Sequence, residues 1–343
     1  MNINQLADTV RALFENDRGL LAMDESDPTC NKRFAAAGIV QNEESRREYR
    51  EMIITTPGLG DFIGGVILYD ETIRQSKRDG TSFLQVIKEA GIIPGIKVDL
   101  GKENLAAHPG EKITAGLDGL RERLTEYSWM GARFAKWRAV ISLGDDIPSR
   151  GCIEANMQSL ARYASLCQEV GLVPIIEAEV LMEGTHSLAR CREVTQEVLR
   201  TLFIELFHQG VALEGLILKP NMILPGLSCP RQESVDEVAE ATVHTLRRVV
   251  PAAVPSIAFL SGGQSGELAA ARLNAMNANF KGDLPWTLTF SFARAIQHPA
   301  LEIWDGKESN VPAAQRALSH RAKCCREARG GRYYKAMETH GSA

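Results

Sequence analysis

Eight short apolar runs, each followed by a longer segment of helical character, limit the fold of this chain more than any other feature. The runs are Leu20–Met23, Ile63–Leu68, Ile92–Val98, Ala132–Trp137, Leu172–Ala178, Leu213–Leu218, Ser256–Leu260 and Leu288–Phe292. Between them Glu43–Ile54, Phe83–Ala90, Cys152–Val170, Ser187–His208, Glu233–Val250 and Gly266–Asn279 read as helices. Strands alternating with helices predict a parallel sheet. Eight such units in 343 residues, 44% of them hydrophobic, point to a single (β/α)8 TIM barrel over residues 1–343, with a doubly wound sheet as the alternative. No linker, low-complexity tract or repeat divides the chain. The last stretch, from about 330 to 343, is expected to be a mobile tail.

A barrel carries its chemistry at the carboxyl ends of its strands, and those ends are polar here. Asp24 follows the first run, Lys97 lies near the end of the third, and Lys136 and Arg138 close the fourth. Glu177 and Glu179 end the fifth, Lys219 the sixth, Ser261-Gly262-Gly263 follow the seventh, and Arg294 closes the eighth. Lys219 stands out. In Glu214-Gly215-Leu216-Ile217-Leu218-Lys219-Pro220-Asn221-Met222 it ends a run that reads as buried on both faces, and Pro220 stops the strand. A lysine withdrawn from water, with other cations nearby, titrates below its reference value of about 10.4 and can attack a carbonyl as the neutral amine. Taken alone, a strand-end lysine is ordinarily one that snorkels to solvent. Six or seven polar strand ends together point to a catalytic mouth, and its cations suit a phosphorylated substrate.

Ser261-Gly262-Gly263-Gln264-Ser265, just before a helix, is a second phosphate signal, because glycines let backbone N–H groups approach an anion. Leu260–Gln264 also matches the signature of ATP-binding-cassette transporters, but no G-x-x-x-x-G-K-[ST] loop accompanies it. The seven histidines are scattered and no C-x-x-C pair occurs, so no metal and no other cofactor is expected. A net charge of -4, from 39 basic and 43 acidic residues, gives no field favouring nucleic acid or an anionic membrane. No apolar stretch reaches the roughly 18 residues of a membrane span, and Met1–Gln5 lacks the features of a signal peptide. Seven cysteines, two of them adjacent, fit a reducing compartment. The cytoplasm is the expected location.

Together the motifs resemble those of class I fructose-bisphosphate aldolase. The similar segments run in order: Leu20–Ser26 (LLAMDES), Gly64–Leu68 (GGVIL), Gly95–Asp99 (GIKVD), Phe134–Arg138 (FAKWR), Val173–Glu179 (VPIIEAE), Glu214–Met222 (EGLILKPNM), Phe259–Ser265 (FLSGGQS) and Leu288–Arg294 (LTFSFAR). The resemblance implies cleavage of fructose 1,6-bisphosphate through a Schiff base on Lys219. Glu177 would then shuttle protons, Asp24 would take the proton of the C4 hydroxyl, Lys136 would support the imine chemistry, and Glu179 would orient its neighbours. Ser261, Gly262, Gly263, Ser291, Arg294 and Arg33 match phosphate positions, with Lys97 and Ser26 near the second phosphate. The resemblance also implies a homotetramer.

Three departures stand out. Asp27-Pro28 replaces a small Thr-Gly pair, adding a negative charge and stiffness near the distal phosphate; Ala293 replaces a glycine; and no tyrosine is terminal, so the group that protonates the enamine is unassigned. A transaldolase or type I dehydroquinase accounts for fewer of the motifs. The alternative from another class is a non-catalytic scaffold that binds sugar phosphates or cytoskeletal partners.

Overall fold

The structure, a computed structural model, describes residues 2–341. Eight parallel strands close into a barrel: β1 Gly19–Ala22, β2 Ile63–Leu68, β3 Ile93–Lys97, β4 Phe134–Ile141, β5 Val173–Val180, β6 Ile217–Leu218, β7 Ser256–Phe259 and β8 Thr287–Phe292. Closure is made where Leu20 and Leu21 of β1 pair with Ser291 and Phe292 of β8. Helices cover the strands on the outside, which is why nearly every strand residue is buried and the runs read as continuously apolar.

Two apolar layers result. Inside the bore Leu20, Ile67, Phe134, Val173, Ile217 and Ala258 pack together, and the amino-terminal helix Ile3–Phe14 adds Leu6, Val10 and Leu13 to that cluster. This helix plugs the end of the barrel opposite the strands' carboxyl ends. Gly64 permits the approach, since a Cβ there would lie 1.9 Å from the Leu13 carbonyl oxygen. Outside the bore, Trp137 packs behind the barrel wall with its ring centroid 5.6 Å from that of Tyr163.

The expected helices form within about two residues of their predicted limits. Ser234 and Glu237, for example, close a capping box that starts the helix Val235–Val249. Three features differ from the sequence reading. The sixth strand is only two residues long, because Leu213–Gly215 turns as a 3-10 helix against Leu6 of the plug. An antiparallel ribbon, Lys102–Asn104 with Lys112–Thr114, inserts after β3; the Pro109-Gly110 turn was its sequence signal. Finally, within the stretch expected to be a mobile tail, whose residues 342 and 343 lie outside the described residues, Lys335–Gly341 form a 3-10 helix that the sequence reading did not contain, and Glu338 within it accepts a hydrogen bond from the Tyr333 hydroxyl at 2.7 Å and pairs with Arg321.

Candidate active site

All eight strands point their carboxyl ends at one rim, where their terminal side chains surround a cavity of about 330 Å3. Lys219 leaves β6 on rigid backbone. Its N–H donates to the Ile176 carbonyl at 2.9 Å, which carries the ladder one residue past the strand. Pro220 cannot donate, but its carbonyl accepts from Leu260 at 3.1 Å, and the Asn221 side chain accepts from the Val180 N–H at 2.9 Å.

At 3% exposure the Lys219 side chain is withdrawn from water. Its Nζ lies 3.2 Å from Glu177 Oε1, and Glu177 Oε2 lies 2.7 Å from Lys136 Nζ. Lys136 also donates to Asp24 Oδ2 at 2.9 Å. A buried chain of alternating charge, Lys219, Glu177, Lys136 and Asp24, therefore links β6, β5, β4 and the loop after β1.

Their surroundings shift the two lysines in opposite directions. Burial holds the Lys219 amine below its ordinary value and Lys136 adds to this, against the opposing pull of Glu177 and Asp24. Burial acts in the same direction on Lys136, but the carboxylates of Asp24, Glu177 and Asp99 outweigh it and keep that ammonium firmly charged. Burial also works against ionisation of Glu177, yet Lys136, Lys219 and Arg138 together hold its carboxyl below the ordinary range. Asp24 follows the same logic, with Lys136 and Lys219 overriding its burial. The resting arrangement favours one charged lysine, two carboxylates and one lysine shifted toward the neutral amine.

The phosphate candidates fall into two groups. At one end Gly262 and Gly263 take the left-handed conformation, with φ of 55° and 81°, and a Cβ on Gly262 would meet Met182 Cε at 2.4 Å. Beside this loop the Ser291 hydroxyl is buried with no hydrogen-bond partner, and Arg294 is exposed with no ion pair among the described residues. Ser261, Gly262, Ser291 and Arg294 line the cavity, whereas Gly263 faces a neighbouring one that it shares with Arg294.

At the other end the cations are already partnered. Lys97 Nζ lies 2.8 Å from Asp99 Oδ1 and Arg138 pairs with Glu179 at 2.5 Å, while Arg33, paired with Glu25, lines both this cavity and the neighbouring one beside Gly263 and Arg294. The Ser26 hydroxyl lies 3.1 Å from that of Thr29. Asp27 turns out not to crowd this end: it opens the helix Asp27–Ala36 and lies 3.7 Å from Arg46, away from the cavity lining. Ala293 lines the cavity at a φ of -106°, outside the left-handed region, so alanine is tolerated there without strain of that kind.

Glu25 and Asp99 escaped the sequence reading, although both lie inside segments it singled out. Glu25 holds Arg33 on one oxygen and Arg50 at 2.7 Å on the other, and accepts from Gln297 at 3.1 Å. Asp99 holds Lys97 and accepts from the Arg138 N–H at 3.3 Å. Charge balance was the available signal, since strand-end cations gathered in a partly buried site call for carboxylates beside them.

The family described as glycolytic, fructose-bisphosphate aldolase class-I, matches residues 5–343. A probable fructose-bisphosphate aldolase class 1 of Xanthomonas axonopodis is 54% identical over 94% of this chain and 96% of its own length. Fructose-bisphosphate aldolase 4, cytosolic, of Arabidopsis thaliana is 49% identical over 92% of this chain and 80% of its own. Among solved structures, a fructose-bisphosphate aldolase of Plasmodium falciparum, in complex with TRAP and a small-molecule inhibitor, superposes with a TM-score of 0.94. It shares 45% identity and covers 97% of this chain and 96% of that one.

Proposed function

Because the chain belongs to the class-I fructose-bisphosphate aldolase family, we propose that it breaks its carbon–carbon bond through an imine on Lys219. The protein is a glycolytic lyase that cleaves fructose 1,6-bisphosphate reversibly to glycerone phosphate and glyceraldehyde 3-phosphate. The neutral Lys219 amine adds to the ketose carbonyl carbon and a carbinolamine results. The alkoxide left by the addition takes one proton from solvent, and Glu177 carries a second from the new ammonium to that hydroxyl, so water leaves and a protonated imine remains. Asp24 accepts the C4 hydroxyl proton as the C3–C4 bond breaks, and the bonding electrons move into the imine to give an enamine and glyceraldehyde 3-phosphate. Protonation of the enamine and hydrolysis then release glycerone phosphate and restore the lysine.

Asp24 is a weak base, because Lys136 and Lys219 hold its carboxyl low. Its proton transfer therefore accompanies bond cleavage, when the hydroxyl becomes acidic, instead of preceding it. Lys136 keeps Glu177 and Asp24 in place and ionised, and Glu179 fixes Arg138. Ser261, Gly262, Gly263, Ser291, Arg294 and Arg33 receive the substrate's phosphates, with Ser26, Lys97 and Arg138 near the second one.

One observation carries this reading: Lys219 is the buried lysine whose amine is held below its ordinary value, and it touches a carboxylate that a second lysine keeps charged. Borohydride reduction with glycerone phosphate present, followed by peptide mapping, should place the adduct on Lys219. An adduct on Lys136 or Lys97 would overturn the assignment.

The enzyme acts as a homotetramer in the cytosol. Ile204 and Phe207, 54% and 82% exposed on the helix Leu188–His208, support self-association, and no helix among the described residues is long and apolar enough to cross a membrane. Light scattering at micromolar concentration tests the first point and cell fractionation the second.

A further inference from the structure

Outside the cavity that holds Lys219, but lining the neighbouring one shared with Gly263 and Arg294, the helix Val311–Gly330 and the tail bring three metal-ligating side chains together. His320 and Cys324 are four residues apart and so share one face of the helix, with His320 Nε2 3.6 Å from Cys324 Sγ. From the tail, Glu338 Oε2 reaches to 3.8 Å from the same Nε2. All three ligand atoms lie within 4.8 Å of one another.

The two separations from His320 are close to those of a tetrahedral site, and sulfur and oxygen lie within 4.8 Å of each other. With metal–nitrogen and metal–oxygen bonds of about 2.0–2.2 Å and a metal–sulfur bond of about 2.3 Å, tetrahedral angles put nitrogen and sulfur about 3.5 Å apart, and nitrogen and oxygen about 3.4 Å apart. The nitrogen–sulfur separation fits as it stands, and the nitrogen–oxygen one needs only a few tenths of an ångström. Cys324 is fully buried, while His320 and Glu338 line a cavity of about 880 Å3 that gives a cation a way in and room for water as a fourth ligand. We propose that His320, Cys324 and Glu338 form a binding site for a borderline-soft divalent cation of the Zn2+ type, which clamps the tail to the helix Val311–Gly330.

The neighbours fit this use. Burial holds the His320 imidazole below its ordinary value, outweighing Glu338. Burial pushes the Cys324 thiol up to about 11, so the cation must displace its proton, as zinc does at structural thiolates. Arg321 is the opposing charge, because it pairs with the same Glu338 oxygen. A carboxylate has about four lone-pair positions, however, so Arg321 and Tyr333 can hold Glu338 from outside while it faces the metal, the arrangement that orients ligands elsewhere. One thiolate and one carboxylate balance the dication.

Cobalt(II) titration of the chelator-stripped enzyme tests the site, because a cobalt–thiolate bond absorbs in the near ultraviolet and a tetrahedral site gives intense visible bands. One Co2+ per chain should produce both, and Zn2+ should displace it. Cys324→Ser should abolish the charge-transfer band. Glu338→Gln, which alters only the tail and so spares the barrel core, should weaken binding at least tenfold, the lower end of what losing one supporting group costs. Absence of the bands at excess Co2+, bands that survive Cys324→Ser, or full affinity in Glu338→Gln would each overturn the proposal.

Discussion

Replacing Glu177 by glutamine separates the supply of nucleophile from the movement of protons. At 3.2 Å from Lys219, and with an effective dielectric constant of about 20, the carboxylate attracts the ammonium by about 5 kcal/mol. That attraction opposes burial. Its loss lets burial and Lys136 shift Lys219 further toward the neutral amine, so Glu177→Gln has no less nucleophile than the parent enzyme. Lys136 keeps Asp24 at 2.9 Å, so no cation is stranded and the variant should fold, which a thermal melt would verify. What disappears is the group that carries protons between nitrogen and the departing hydroxyl. Such a group contributes about 10²–10⁴-fold, so kcat for fructose 1,6-bisphosphate should fall by that factor while KM, set by phosphate contacts, holds. Rapid-quench borohydride trapping with glycerone phosphate should slow by the same factor as kcat. A fall in kcat of less than tenfold, or a rise in KM at unchanged kcat, would refute Glu177 as the shuttle.

Arg294→Ala should lower kcat/KM for the bisphosphate about ten- to a hundredfold, the loss of a charge-assisted contact worth roughly 1.5–3 kcal/mol, and an unchanged kcat/KM would put the phosphate elsewhere. Asp99→Asn should release Lys97 from its 2.8 Å pair and raise the preference for fructose 1,6-bisphosphate over fructose 1-phosphate; a ratio that stays level would remove Lys97 from the distal phosphate. Prolonged dialysis against EDTA should leave cleavage intact, since the imine is the electron sink and His320, Cys324 and Glu338 lie outside the cavity that holds Lys219; loss of activity restored by zinc would refute the mechanism. Asp24 and Glu177 have lowered carboxyl values, so their pairing stabilises the fold above their ordinary values and is lost as pH falls through the lowered ones. Melts from neutral pH into acid should therefore show a shallower decline in Asp24→Asn, and an equal slope would exclude Asp24 as a contributor.

The barrel was legible because its strands are buried on both faces and its helices are amphipathic, so periodicity marks each unit. Lys219, Glu177, Lys136 and Asp24 were legible for a related reason: a polar residue at the end of an apolar strand has few places to point other than the barrel mouth. Less legible were features set by contacts distant in sequence. The two-residue β6 reflects a 3-10 turn packed on Leu6, some two hundred residues earlier in the chain, and no local pattern encodes that contact. Glu25 reads as one more charge beside Asp24 until Arg33, Arg50 and Gln297 converge on it. The tail contacts were not legible because small polar residues carry no local pattern, and Tyr333 and Glu338 have partners only once the chain has folded back on Arg321.

Pairing divides the mouth into unequal halves. Among the described residues Lys97 and Arg138 each face a carboxylate, so a phosphate arriving at their end must compete with Asp99 or Glu179 for the same donors. At the opposite end Arg294 and the Ser291 hydroxyl are uncommitted, and the loop Ser261–Gly263 precedes the helix Gly266–Phe280 with its glycines already in the left-handed conformation. Binding there sacrifices no existing ion pair and needs little rearrangement of the backbone. On the proposed mechanism the Arg294 end would therefore anchor the substrate, and the Lys97 end would add contacts whose net worth is reduced by the partners they displace. Such an order suits a lyase. Glycerone phosphate would stay tethered both by the anchor and by the proposed imine on Lys219, while glyceraldehyde 3-phosphate would leave from the end where the carboxylates stand ready to take their cations back.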